Sequence, residues 1–250
     1  MIRIALALFA MLAPLRAGWN FSNAEMLAAP AGLDFLRCTA SDGASRVELH
    51  IVAFHAKAHT FAVMDNPEGA FDLGSASAKR GALAAVNGGY FHPDRTPLGL
   101  VVRQGATLHP LERAKLLSGL VIVKKDRPAL VRTAEFRASA EVREALQAGP
   151  FLVDAGRPVA GLNDTRRAAR TVVFAGDAGI FGVLICKSAT LAETARMLAT
   201  PGSFPGGKIT RALNLDGGSS TALWVKGEPS PFYSREWKGV RNYLAIVPRR

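Results

Sequence analysis

The sequence predicts an α+β fold: a single domain built on a mixed or antiparallel sheet, with a few helices packed against it. Three observations carry this expectation. Short apolar runs recur along the chain, some alternating with polar residues, and glycine, asparagine and aspartate turns separate them. Segments of helical composition are few and short. With 250 residues, 49% of them hydrophobic, the chain can close one sizeable core.

The elements follow in order. Residues 1–17 read as a secretory signal peptide, with Arg3 as the charged start, residues 4–15 as the apolar stretch and Ala17 before the cut. The mature domain is then expected to span residues 18–250, in the periplasm or secreted, with no stable membrane insertion after cleavage. Residues 18–31 are a polar approach, residues 33–39 open the first strand, and Asp42-Gly43 makes a turn. Val47, Leu49, Ile51 and Ala53 then alternate with polar neighbours as in a half-buried strand, with residues 61–64 expected as its hairpin partner. His50, His55 and His59 fall close together, but alternation sends His50 and His55 to opposite faces of a strand. No carboxylate sits among them at ligand spacing, so they read as surface histidines rather than a metal cluster.

Residues 75–80 have helical character and lead to an apolar run that ends in Asn87-Gly88-Gly89-Tyr90-Phe91. After His92-Pro93-Asp94-Arg95 come a strand through Val102, a turn at Gln104-Gly105, and two strands at residues 118–123 and 128–132. Residues 138–147 have helical composition with a stop at Gly149-Pro150. Residues 151–153 form a strand, and residues 154–170 a long polar loop of the kind that often serves function. Residues 170–174 and 180–186 make a hairpin through Gly176-Asp177-Ala178-Gly179. Thr190-Leu191-Ala192-Glu193 matches a capping box: the threonine hydroxyl accepts from the backbone three residues on, and the glutamate reaches back. Leu191, Ala195 and Leu198 share one face of that helix. Residues 202–208 resemble a phosphate-binding P-loop. Ile209, however, stands where a magnesium-binding hydroxyl belongs, and a helix precedes the loop, which excludes nucleotide binding. Residues 226–239 form a second long loop, and residues 242–247 close the sheet.

Lys and Arg exceed Asp and Glu by 31 − 20 = +11, which favours an anionic partner. The basic residues are scattered apart from Arg166, Arg167 and Arg170, and no recognition helix, zinc spacing or aromatic-basic motif accompanies them. Nucleic acid is therefore not the expected partner. Cys38 and Cys186 each sit in a strand-like run and read as buried core thiols, although an oxidising compartment would allow them to pair. They form no closed zinc set, which needs about four ligands.

Chemistry concentrates at two turns of the same grammar. Asn87-Gly88-Gly89 and Asp216-Gly217-Gly218-Ser219-Ser220-Thr221 each end an apolar strand that follows a helical segment, so their tips are expected side by side. The second turn lacks the closing glycine of a nucleophile elbow. Glycine amides, hydroxyls and Arg170 instead suit a phosphate, with Asp216 as an acid, a base or a cation ligand.

These residues resemble the phosphodiester glycosidase family. The resemblance rests on Asn87-Gly88-Gly89-Tyr90-Phe91 with Pro97 and Gly99, on residues 149–153, on Arg170-Thr171, and on residues 214–221, which recur in the family's order. One glycine of the family's usual last turn, Asp-Gly-Gly-Gly-Ser, is missing here. The resemblance implies a hydrolase acting on a sugar-phosphate phosphodiester, small or polymeric, in envelope or exopolysaccharide metabolism. Asp216 and His92 are the implied catalytic residues, with His92 as proton donor. Asn87, Gly88, Gly89, Arg170, Thr171, Gly217, Gly218, Ser219, Ser220 and Thr221 are the implied substrate and phosphate contacts. No organic cofactor is implied. Two alternatives stay open: a non-catalytic module for anionic glycan, and a divalent cation held by Asp216 and Asn87.

Overall fold

The computed structural model describes residues 18–22, 25–202 and 207–249. The signal-peptide expectation for residues 1–17 lies outside them, as do residues 203–206 of the P-loop-like stretch.

Along the chain the strands are β1 (Asn20–Phe21), β2 (Glu25–Leu27), β3 (Leu33–Ser41), β4 (Arg46–His55) and β5 (His59–Asp65), followed by helix α1 (Leu73–Arg80). Next come β6 (Ala84–Asn87), β7 (Val101–Arg103), β8 (Ala106–His109), β9 (Gly119–Lys124), β10 (Arg127–Arg132), β11 (Val142–Ala148), β12 (Phe151–Asp154) and β13 (Arg157–Pro158). The chain finishes with β14 (Ala168–Gly176), β15 (Ile180–Ala189), α2 (Leu191–Ala199), β16 (Ile209–Asn214), β17 (Leu223–Val225), β18 (Phe232–Ser234) and β19 (Asn242–Pro248). A nine-stranded sheet runs β1-β3-β4-β15-β14-β16-β12-β13, with β2 also on β3. Two five-stranded sheets run β10-β9-β11-β7-β8 and β18-β17-β6-β19-β5. Every ladder among the described residues is antiparallel, so the α+β expectation resolves into a mainly β architecture with two α-helices.

Period-two alternation distributes side chains between cores. On β3, Leu33 and Phe35 join Val52, Val63, Val86, Val121 and Leu146 in a central cluster drawn from all three sheets. Leu36, Cys38 and Ala40 point the other way, into a layer with Leu49, Ile51 and Phe174 that α2 covers through Ala195, Met197 and Leu198. The capping box of α2 is complete, with Thr190 accepting from Glu193 N and Glu193 reaching back. Helix α1 is capped by Asp72, whose side chain accepts from Ser75 N at 2.7 Å, and ends at Gly81 with φ 69°. It packs Leu73 against the outer face of the second five-stranded sheet.

Three expectations change. Residues 138–147 are not a helix: Val142–Ala148 is strand β11, held between β9 and β7 and buried at Ala145 and Leu146. Tertiary pairing overrides the helical propensity of Glu144, Ala145, Leu146 and Gln147. The Glu144 carboxylate even serves the neighbouring backbone, accepting from Val63 N at 3.1 Å and Gln104 N at 3.3 Å. Residues 61–64 do not pair with β4, both of whose edges are taken by β3 and β15; β5 crosses to β19 instead. The long loops are also shorter than expected, since β13 and β18 form inside them.

Cys38 and Cys186 are buried free thiols. Both stand in register with Leu49, on the two strands flanking β4. Two interstrand steps separate them by about 9–10 Å, beyond the roughly 7 Å Cα reach of a disulfide.

Candidate active site

Strands β6 and β16 are interior strands of two different sheets, and the turns that follow them meet. Asn87 Nδ2 donates to Asp216 O at 2.7 Å and Asp216 N donates to Gly88 O at 3.1 Å. The convergence of the two turns is thus a direct hydrogen-bonded seam between sheets.

The first turn is used up inside the protein. Asn87 is fully buried, and its Oδ1 accepts from Thr171 Oγ1 at 2.6 Å and from Ala222 N at 3.1 Å. Gly88 N donates to Asn242 O at 2.9 Å, and Gly89 N to Asn242 Oδ1 at 2.8 Å. A Cβ on Gly88 would lie 2.0 Å from Asn242 Oδ1, so glycine is needed for close approach. Asn87, Gly88, Gly89 and Thr171 therefore brace the seam rather than present donors to a phosphate. Asn87 Oδ1, already holding two donors, is not open to a cation beside Asp216.

The second turn is the one that faces outward. Asp216 is half-buried; its Oδ1 accepts from Gly217 N at 2.8 Å, and the Ser220 hydroxyl also donates to the carboxylate. Burial pushes this carboxyl above the ordinary carboxylate range, against the pull of those two donors. Gly217 has no room for a side chain, since a Cβ would meet Ala169 O at 2.7 Å, and Gly218 takes φ 63°. The N–H groups of Gly218 and Ser219 open the short helical turn 218–220 with no partner among the described residues. Ser219 is exposed at the rim, whereas Thr221 keeps its hydroxyl buried and without a partner among the described residues.

A cavity of about 400 Å³ opens at this turn, lined by Tyr90, Asn163, Arg166, Arg170, Asn214, Asp216, Gly217 and Gly218 among others. Larger hollows exist, but one of about 690 Å³ beside Leu100, Val102 and Phe136 has no carboxylate in its lining. Arg170 is nine-tenths buried. Its Nε donates to Ala189 O at 2.8 Å and its Nη2 to Arg166 O at 2.6 Å, while Nη1 has no protein partner among the described residues. No carboxylate pairs with Arg170 or Arg166 among the described residues. Burial pulls the Arg170 pKa down, and the facing Arg166 acts in the same direction. Two guanidinium groups and one carboxylate thus share a small cavity, a surplus of positive charge that an anion would balance.

Sequence reasoning assigned no role to three residues here. Tyr90 Oη donates to Gly149 O at 2.7 Å and accepts from Asn214 Nδ2 at 2.9 Å, and burial raises the phenol pKa further from ionisation. Asn214, immediately upstream of the Leu215-Asp216 step, also donates to Gly149 O at 3.1 Å. Asn242 lies far away in sequence, and nothing local marks it. His92 is not brought to the cavity. It is exposed on a hairpin tip where Arg95 N donates to His92 O at 2.8 Å and Arg95 clamps the carbonyls of Asn66, Pro67 and Val240. Among the described residues no cluster of three or more His, Cys, Asp or Glu side chains could hold a metal, and no helix is long and apolar enough to cross a membrane.

Comparison with known proteins places this geometry in context. The family model described as phosphodiester glycosidase matches residues 80–247. The catalytic domain of zebrafish N-acetylglucosamine-1-phosphodiester alpha-N-acetylglucosaminidase, auto-inhibited by its pro-peptide, is similar with a TM-score of 0.67 and 16% identity. That match covers 93% of this chain and 89% of the zebrafish domain. A Synechocystis protein is similar with a TM-score of 0.64 and 15% identity over 92% of this chain and 64% of that one. A Burkholderia pseudomallei protein described as a candidate exported protein gives 0.56 and 14%, covering 81% and 74%. No curated protein sequence matches the chain.

Proposed function

The chain belongs to the phosphodiester glycosidase family, and from that premise we propose that it is an exported hydrolase of glycosyl phosphodiesters in envelope or exopolysaccharide metabolism, with Asp216 as its reactive carboxylate. The observation that carries this reading is Arg170: a buried guanidinium without a counter-ion among the described residues, lining the same cavity as Asp216. An isolated buried cation is costly, and a bound phosphodiester would supply its missing partner.

The free guanidinium edge of Arg170, the exposed Arg166 and the N–H groups of Gly218 and Ser219 hold the phosphate oxygens. A phosphate monoester is a good leaving group, so cleavage at the sugar carbon needs little proton donation. Water adds to that carbon, the bond from carbon to phosphate oxygen breaks, and Asp216 takes the proton of the attacking water. The products are the free sugar and a phosphate monoester. The raised pKa of Asp216 makes it a stronger base than an ordinary aspartate, and Ser220 and Gly217 N–H fix its orientation. In this scheme Asn87, Thr171, Gly88 and Gly89 position the turn, and His92 takes no part.

Purified mature protein screened against chromogenic glycosyl phosphodiesters tests the reading. N-acetylglucosaminyl diesters come first, because the zebrafish relative carries that sugar in its name. Sugar release from at least one diester is expected, and a folded protein inert across the panel would overturn it. Export rests on the leader at residues 1–17, in line with the description of the Burkholderia relative. Mass spectrometry of the native protein should find a mature start near Gly18.

A further inference from the structure

A second cavity, of about 350 Å³, shares no lining residue with the one at Asp216. It lies where the end of α1 meets the two five-stranded sheets. Its lining includes Arg80 from α1, Thr60 from β5, Arg143 and Glu144 from β11, and Gln104 and Asp126 from the turns after β7 and β9. Val247 also lines it, paired with Thr60, whereas Asn87, which opens onto the Asp216 turn, pairs with Tyr243 on the same strand β19. The step from Tyr243 to Val247 along β19 is about 13 Å. Several polar groups around this cavity are not used by the fold. Thr60 is 6% exposed, and its hydroxyl is buried with no partner among the described residues; Arg80 Nε is likewise buried and unpartnered among them. Neither Arg80 nor Arg143 has an ion pair among the described residues. The Glu144 oxygens each hold one backbone donor, Val63 N and Gln104 N, and each keeps a lone pair. Buried donors left unpaired are costly, so folding alone does not account for them.

We propose that this cavity binds a sugar acid, with Arg80, Arg143 and the Thr60 hydroxyl on its carboxylate and Glu144, Asp126 and Gln104 on its hydroxyls. The charge pattern selects the class. Two guanidinium groups and a hydroxyl are donors, and the planar oxygens of a carboxylate match a guanidinium edge. The two carboxylates of the lining oppose a densely charged anion but accept readily from hydroxyl groups. A ligand with one carboxylate on a hydroxyl-rich body satisfies both sets at once. Small-molecule sites run from about 300 to 1,000 Å³, and a cavity at the lower end of that range suits a single sugar ring. The carboxylate is that of a free sugar acid or of a uronate within a glycan, and the chemistry in the cavity is the same for both. The site stands independently of hydrolysis at Asp216.

The test is titration calorimetry of the purified protein with galacturonate, galactose and trigalacturonate. Wild type should bind galacturonate about tenfold or more tightly than galactose, which gives the guanidinium groups no charged acceptor. Arg80→Met should weaken galacturonate about tenfold or more, and Thr60→Val about threefold or more. Thr60→Val should melt no lower than wild type, because its hydroxyl has no partner among the described residues to lose. Arg170→Met should bind galacturonate as wild type does, which separates this cavity from the one at Asp216 whatever the diester screen shows. Trigalacturonate binding at least as tightly as galacturonate would assign the carboxylate to a glycan, and its exclusion would assign a free sugar acid. Absence of galacturonate binding, equal affinity for galactose, or binding unchanged in Arg80→Met would overturn the proposal. Displacement of galacturonate by inorganic phosphate would overturn it as well, since the more highly charged ion faces Asp126 and Glu144.

Discussion

Replacing Arg170 by methionine should separate binding from folding. The side chain makes two charge-assisted hydrogen bonds, at 2.8 Å to Ala189 O and 2.6 Å to Arg166 O, each contributing about 1.5–3 kcal/mol. Against these stands the desolvation of a cation without a carboxylate partner among the described residues, several kcal/mol for a buried ion. The two effects oppose each other, so stability should change by no more than about 2 kcal/mol, or roughly 4–8 °C in Tm for a domain this size. Substrate binding has no such compensation. Losing a buried charge contact to phosphate costs about 2–5 kcal/mol, which predicts a rise in KM of about 10²-fold or more, with kcat much less affected. Thermal unfolding with and without inorganic phosphate, read beside diester kinetics, gives both quantities. Wild type should gain about 2.7 kcal/mol at a phosphate concentration 100 times its Kd, and Arg170→Met should gain almost none under the same conditions. A folded variant with KM within about threefold of wild type and an undiminished phosphate response would refute the assignment of Arg170 as the phosphate clamp.

Asp216→Asn should lower turnover by on the order of 10²-fold or more, about 3 kcal/mol, with an unchanged circular dichroism spectrum. Burial raises the Asp216 pKa in the folded state; its stabilising contribution is therefore full below about pH 3.9 and lost as pH rises through the folded value. Asp216→Asn should accordingly be more stable than wild type at neutral pH, and this advantage should shrink in melts run toward about pH 4. For the same reason the acid limb of kcat/KM in wild type should lie above the ordinary carboxylate range. Gly88→Ala places a Cβ 2.0 Å from Asn242 Oδ1 and 2.8 Å from its backbone O, so denaturant melts should show a loss of about 3 kcal/mol or more together with activity. Asn242→Ala leaves Gly89 N–H buried without its acceptor; about 1–3 kcal/mol of stability should go, and turnover should fall although the residue lies outside the cavity lining. Alkylation after denaturation without reductant should label both Cys38 and Cys186, and a disulfide-linked peptide would contradict the register that holds them apart.

By itself the sequence determined the local grammar. Alternation marked the strand at Arg46–His55, the capping box fixed the start of α2 at Thr190, and paired glycines marked the two turns, because each signal depends on residues within a few positions of one another. It also singled out Asp216 and Arg170, whose cavity the structure shows to be shared. Only the tertiary structure decided partners and directions. The helical composition of residues 138–147 yielded to two neighbouring strands, and β5 left its sequence neighbour for β19 because β4 was already paired on both edges. Both glycine turns looked alike as phosphate cradles, yet the first has its amides taken by Asn242, more than 150 positions away, and the second keeps two N–H groups free of protein partners among the described residues. A donor's availability depends on what the rest of the chain brings against it, and long-range contacts of that kind leave no mark on the turn's own residues.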